Sequence, residues 1–232
     1  MLDENAETIG KGVGKQAAVE IQRVFDTNEV HLEVLSREEA ILHGDDAAKI
    51  AKMQEVKKDA QVFSVISYLD ATGKGFSVEG EPIERSNRAY FKKVMETQKT
   101  VVSEPLISGS TGKVATVIAV PIKENGAVVG MVTGTVGLTH FDDTLAAMAT
   151  YKTGQLVVLD ETGIVIIHPK EPEQVGKLDF SKEVSSVRIS PSLVEAFKNV
   201  IDKNEPAVAH YERESGEKMT GILVPIQLDN RR

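Results

Sequence analysis

The 232-residue chain contains no cysteine. A disulfide framework and a thiolate metal site are both excluded, whereas the compartment stays open, because cytosolic and exported proteins can equally lack cysteine. Long apolar runs are missing too. The longest uncharged one, GAVVGMVTGTVGL at 126–138, is too short and too rich in glycine to provide the roughly 20 residues that span a bilayer. No stretch resembles a signal peptide. There is no extended basic run and the net charge is −8, a balance that argues against nucleic acid and anionic membrane as partners.

Catalytic signatures are also absent. LISGSTGKVATVIAVPI at 106–122 has the look of a phosphate loop, with a glycine-rich turn and Gly112-Lys113 ahead of an apolar stretch. A phosphate loop in this register needs glycine at 107 and a hydroxyl residue at 114, so that backbone N–H groups wrap the phosphates and the hydroxyl reaches magnesium. The chain has Ile107 and Val114, and the β-branched residues that follow read as strand, with no helix N-terminus to face a phosphate. SGSTG is a turn between strands. The five histidines, His31, His43, His140, His168 and His210, form neither a His-Glu-x-x-His motif nor any close pair. There is no Gly-x-Ser-x-Gly elbow, and the His-Pro at 168–169 reads as a strand terminator. No catalytic residue, metal or cofactor is expected.

What is present is a globular balance, with 41% hydrophobic and 27% charged residues. Over the first sixty residues Val13, Ala17, Ile21, Val24, Phe25, Leu32 and Leu35 recur at helical spacing and form one apolar stripe. HGDDAAKIAKM breaks and restarts the helix, with Asp45 or Asp46 as N-cap. Gly10, Gly12 and Gly14 weaken its first turns, at about 1 kcal/mol each relative to alanine. After residue 61 the period shortens. QVFSVISYLD and GKGFSVE read as strands joined by an Asp-Ala-Thr-Gly turn, and SNRAYFKKVMETQK as a short helix from near Ser86 that buries Tyr90, Phe91 and Val94. Strands follow around 100–106, at 113–122 and at 127–138, the last two joined tightly by KENG. THFDDTLAAMATYK reads as a helix opening on Thr139 and Asp142.

The second half repeats the first in outline. Leu-Asp-x-Thr-Gly occurs at 69–73 and at 159–163, AVPI at 119–122 matches LVPI at 223–226, and each pair brackets a polar crossing and a helix, PSLVEAFKNVID in the second copy. Two matches in the same order indicate a duplicated unit. The first copy continues past its VPI into another strand, so the second is expected to be truncated before its last strand, as in a piece of a longer protein.

SNRAYFKKVMETQKTVVSEPLISGSTGKVATVIAVPIKENGAVVGMVTGTVGL at 86–138 resembles the membrane-distal module of double Cache sensor domains, the extracytoplasmic part of many bacterial chemoreceptors and sensor kinases. LVVLDETGIVIIHPKE at 156–171 resembles the start of their membrane-proximal module. The resemblance implies an α+β fold in which a long N-terminal helical stalk, 1–60, carries two PAS-like antiparallel-sheet modules. The distal, ligand-binding one spans 61–140, and the connecting helix and proximal one span 141–232. It also implies flanking transmembrane helices and a cytoplasmic signalling domain outside this chain, and a homodimer in the full-length receptor.

Amino-acid-binding members of the family hold the ligand carboxylate with an arginine followed by two aromatics, a pattern that Arg88, Tyr90 and Phe91 match. They hold the ammonium with two aspartates, which align with Ser108 and Thr135, and they carry nearby aromatics at the positions of Ile83 and Leu106. Arginine kept and acids lost points to a ligand with a carboxylate and no amine, a short organic acid rather than an amino acid. Tyr68 and Thr116 are expected to line the pocket floor, with Ser108 and Thr135 as neutral hydrogen-bond partners. The output of such a sensor could be a chemotaxis signalling domain, a histidine kinase or a diguanylate cyclase. Rival readings are an amino-acid or purine sensor, a nucleotide enzyme, and a dimerisation module that binds nothing. ATP and GTP are expected to leave the melting temperature unchanged in a thermal-shift assay, and a stabilisation by either would restore the nucleotide reading.

Overall fold

The apolar stripe at the start of the chain forms a single helix, α1 (Leu2–Leu35), in which Ala17, Ile21, Phe25, Leu32 and Leu35 are buried. Two shorter helices follow, α2 (Glu39–His43) and α3 (Asp46–Asp59), and Asp45 is the N-cap of α3, its carboxylate accepting from the Ala48 N–H at 2.9 Å. The computed structural model describes residues 2–149, 154–182, 190–212 and 216–228. The chain divides into two compact units, one made of Met1–Arg23 with Phe141–Gln227 and the other centred on Val24–His140. Residues 1–60 are thus shared between the two.

The Val24–His140 unit is built on an antiparallel sheet. Its strands are β1 (Phe63–Asp70), β2 (Lys74–Ser77), β3 (Pro82–Glu84), β4 (Val101–Val102), β5 (Leu106–Ile107), β6 (Val114–Glu124) and β7 (Ala127–Gly137). Their order is β3-β2-β1-β7-β6-β4, with β5 also on β6. β6 and β7 meet in a two-residue hairpin whose Asn125 and Gly126 both have positive φ, 51° and 82°, the geometry that matches strand twist. Helix α4 (Ala89–Thr97) starts three residues later than the sequence suggests, because Arg88 keeps extended dihedrals as its N-cap. It lays Tyr90, Phe91 and Val94 on Leu69, Met131, Val117 and Ala119. The other face of the sheet carries Ile66, Val132, Ile118 and Val120, also buried, so β6 is apolar almost throughout. A 3-10 turn (Leu138–Phe141) leads into α5 (Asp142–Met148), which has no side-chain cap; the expected Thr139 cap is not made, since the 3-10 turn occupies that position. Thr150–Lys152, expected to extend this helix, lie outside the described residues.

In the other unit the hairpin β8 (Val158–Leu159) and β9 (Val165–Ile167) is followed by α6 (Pro191–Lys203) and the antiparallel pair β10 (Ala207–Glu212) and β11 (Lys218–Leu223). Ser190 caps α6, which packs Leu193, Val194 and Ala196 on Ala209. His168 ends its strand buried, with Nδ1 accepting from the Glu171 N–H at 3.0 Å. Two of the helix-weakening glycines have a packing reason. A Cβ on Gly10 would lie 2.3 Å from Ile222 Cδ1, and one on Gly14 would lie 2.7 Å from Val224 Cγ2. Val224–Ile226 run past β11 outside any described strand, unlike the matching Val120–Ile122 of β6, which pair with β7.

The duplication is visible atom by atom. Asp70 Oδ1 accepts from the Thr72 N–H and hydroxyl at 2.8 and 2.6 Å and from the Lys74 N–H at 3.1 Å; Asp160 Oδ1 accepts from the Thr162 N–H and hydroxyl and the Ile164 N–H at 2.9, 2.7 and 2.9 Å. Gly73 and Gly163 close the two turns at φ of 85° and 97°. Their carbonyls then accept from the N–H groups of Arg85 and Phe180, at 2.8 and 2.7 Å. Glu84 and Asp179 in turn accept from the N–H groups of Ser86 and Ser181. The repeat therefore extends to 84–86 and 179–181.

Partial burial would raise the Asp70 carboxyl, but the bonds from Thr72 and Lys74 outweigh it and hold the group below the usual aspartate range. The stabilisation is complete above pH ~4 and is lost as the pH falls through the lowered folded-state value. Asp70→Ala is expected to cost about 1 kcal/mol at pH 7, a small figure because solvent reaches the carboxylate. Urea denaturation should show the gap to wild type narrowing at pH 3.

Candidate ligand pocket

Alternation along the central strands puts Ser67 of β1, Thr133 and Thr135 of β7 and Val117 of β6 on one face, since Ser67 pairs with Thr133 and Thr135 with Val117. This is the face that α4 covers. These four residues form the floor of a narrow pocket. Ile83 and Leu106 flank it, Arg85, Arg88 and Tyr90 enter from the segment that starts α4, and Ser108–Ser110 come from the β5–β6 loop. SGSTG is thus the turn of a hairpin, with Leu106 paired to Ala115 and Ile107 to Val114.

The polar groups are all neutral or cationic. Among the described residues no carboxylate lines the pocket. Among the described residues neither Arg85 nor Arg88 forms an ion pair. Arg85 donates from Nη1 to the Glu84 carbonyl at 2.9 Å and from Nη2 to Ser110 Oγ at 3.4 Å. Burial pushes the Tyr90 phenol up from its ordinary value, while the two guanidinium groups pull it part of the way back, so it is a neutral hydroxyl at physiological pH. Ser108 is buried and its Oγ accepts from the N–H groups of Ser110 and Thr111 at 3.3 and 3.2 Å, which leaves its own proton to donate. Gly109 lies against both arginines. A Cβ there would lie 3.1 Å from Arg88 Nη2 and 3.2 Å from Arg85 Nη2. The uncapped first turn of α4 adds the positive end of the helix dipole beside Arg88.

Of the residues expected from sequence, Arg88, Tyr90, Ser108 and Thr135 come together here, with Ile83 and Leu106. Phe91, the next residue round α4 from Tyr90, lies in the apolar cluster beneath the helix and not in the pocket. Tyr68 and Thr116 are on the opposite face of the sheet, because strand side chains alternate. Tyr68 stacks on Phe76 at 5.4 Å with Lys49 Nζ 5.1 Å from its ring, and Thr116 pairs with Val136. Their neighbours Ser67 and Val117 take the floor. Sequence reasoning missed these two, and with them Thr133, Arg85, Gly109 and Ser110. Thr133 was within reach, two residues from Thr135 and so on the same face. Among the described residues no three His, Asp or Glu side chains group as metal ligands, and no helix is long and apolar enough to cross a membrane.

A sheet covered by helices on both faces, with a cationic pocket between one face and a short helix, is the architecture of a small-molecule receptor module. The chain belongs to the Cache domain family, whose profile matches residues 2–229. Cache domains are sensor modules rather than catalytic ones, and they form the extracellular portions of chemoreceptors and kinases. A curated relative, the methyl-accepting chemotaxis protein PscA of Pseudomonas syringae pv. tomato, is 24% identical over 135 residues, covering 56% of this chain and 22% of its own length. The chain thus spans under a quarter of that relative. Among solved structures, methyl-accepting chemotaxis protein X superposes with a TM-score of 0.78 at 14% identity, over 98% of this chain and 94% of its own. The ligand-binding domain of the Pseudomonas fluorescens chemoreceptor CtaA, in complex with L-serine, gives 0.71 at 18% identity over 94% and 89%. The extracellular domain of the putative histidine kinase mmHK1S-Z2 gives 0.71 at 16% identity over 97% and 92%.

Two guanidinium groups held close together repel each other, although the Glu84 carboxylate also attracts Arg85. Arg88→Gln is expected to raise the melting temperature of the ligand-free protein by roughly 1–2 °C at low ionic strength. The gain should shrink in 0.5 M salt, as screening requires. Calorimetry at two salt concentrations checks both.

Proposed function

We propose that this chain is the ligand-binding sensor domain of a bacterial transmembrane chemoreceptor, and that it binds a small carboxylate-bearing metabolite in the pocket of the Val24–His140 unit. On this reading 61–140 is the membrane-distal module, 141–232 the membrane-proximal one, and 1–60 the helical stalk of a receptor that works as a homodimer. The observation that carries the reading is Arg88, a guanidinium without an ion pair among the described residues, lining a pocket whose other polar side chains are hydroxyls and the Arg85 guanidinium. A planar fork of donors suits a carboxylate, and Tyr90 adds a hydroxyl and an aromatic wall.

The CtaA complex with L-serine supports ligand binding in a fold of this kind. An amino acid would also bring an ammonium, for which this pocket offers Ser108 and Thr135 and, among the described residues, no carboxylate. An organic acid without an amine is the better fit. Binding would shift the balance between two conformations and so move a following transmembrane helix, a change that needs only a few kcal/mol of differential affinity. The mmHK1S-Z2 likeness favours one second reading, in which the same sensor drives a histidine kinase.

A thermal-shift screen of short carboxylic acids, amino acids and purines tests the ligand class. Carboxylic acids should raise the melting temperature in a concentration-dependent way, and Arg88→Ala should weaken the effect at least ten-fold in apparent Kd. Stabilisation by purines alone, or a carboxylate effect that survives Arg88→Ala, would overturn the assignment.

A further inference from the structure

We infer that the ligand carries two carboxylates, and that Arg85 is the residue that selects for the second. This rests on the reading of the pocket as a carboxylate site with Arg88 as the first anchor. The internal repeat provides the control. Arg85 and Phe180 occupy the same place, each donating its backbone N–H to the carbonyl of the turn glycine and each followed by a serine whose N–H an acid accepts. The backbone role is the same in both copies and asks nothing of the side chain. In the second copy that side chain is a phenyl ring packed on the apolar cluster of α6 and β10. The turn therefore does not need a guanidinium, and at residue 85 the guanidinium goes to the pocket.

Position and charge then define what it recognises. Arg85 Nη2 and Arg88 Nη2 lie within 3.2 Å of one point beside Gly109. Among the described residues no acid lines the pocket, and Glu84, which attracts Arg85 from outside it, accepts from the Ser86 N–H. One carboxylate leaves a net positive charge between them; a dianion removes it. The floor on which the rest of the molecule would lie carries the hydroxyls of Ser67, Thr133 and Thr135, which suit carboxylate oxygens better than an alkyl tail. The narrow pocket and the short gap between the arginines restrict the chain to a few carbons, the class of the four-carbon dicarboxylic acids.

The test compares succinate with butyrate, which has the same length and one carboxylate fewer, by isothermal titration of the purified chain. Inorganic phosphate serves as the compact anion. Wild type is expected to bind succinate roughly ten-fold or more tightly than butyrate and more tightly than phosphate. Arg85→Gln should bring the succinate-to-butyrate ratio close to one. Arg85→Lys, which keeps the charge and loses the fork, should give an intermediate ratio and guards against misfolding of the first variant. A wild-type ratio of one, a ratio that Arg85→Gln leaves untouched, or tighter binding of phosphate than of succinate would overturn the dicarboxylate inference while leaving the carboxylate site standing. If neither acid binds wild type, the carboxylate reading of the pocket falls with it.

Discussion

The alternation of side chains across β1, β7 and β6 is the constraint on which the rest of the Val24–His140 unit depends. Every backbone step moves a residue from one face to the other, and both faces are covered. Leu69, Met131, Val117 and Ala119 meet α4, while Ile66, Val132, Ile118 and Val120 face the other way. A polar residue in this sheet is therefore either satisfied within the core or part of a pocket. The hydroxyls of Ser67, Thr133 and Thr135 fall on the α4 face, next to the apolar patch that anchors the helix, and that juxtaposition makes a floor that can bind.

The duplicated unit explains how a pocket arises on a scaffold without disturbing it. Both copies retain the aspartate that organises the turn, the glycine at positive φ and the acid–x–serine step that follows. All of those interactions use backbone groups or short side chains of the turn itself. The residue between the acid and the serine is left open, arginine in one copy and phenylalanine in the other. In one copy that residue lines the pocket with a guanidinium, and in the other it packs on the apolar core. Stability and specificity are carried by different atoms of the same short segment.

Much of this was legible in advance because local chemistry encodes it. The helical stripe of α1, the Asn-Gly hairpin, the Asp45 cap and the Leu-Asp-x-Thr-Gly repeat each depend on residues close in sequence. The pocket was legible in half. Arg88, Tyr90, Ser108 and Thr135 were placed by resemblance, but Tyr68 and Thr116 fall on the wrong face, since a shift of one residue in a strand inverts the side chain. Phe91 lies in the apolar cluster alone, whereas Tyr90 belongs to that cluster and also lines the pocket. Arg85 could not be told from any other arginine beside a turn.

The amino-acid sequence by itself determined the order of most helices and strands and the duplication, because composition and short-range periodicity carry that information. Only the tertiary structure decided which residues share the pocket. Ser67, Thr133, Arg85 and Gly109 come from separate strands and loops, and their convergence follows from the register of β1 against β7 and of β5 against β6. Register is a long-range pairing. It joins residues more than seventy positions apart, as in Ser64 Oγ donating to the Thr135 carbonyl, and no local pattern states it.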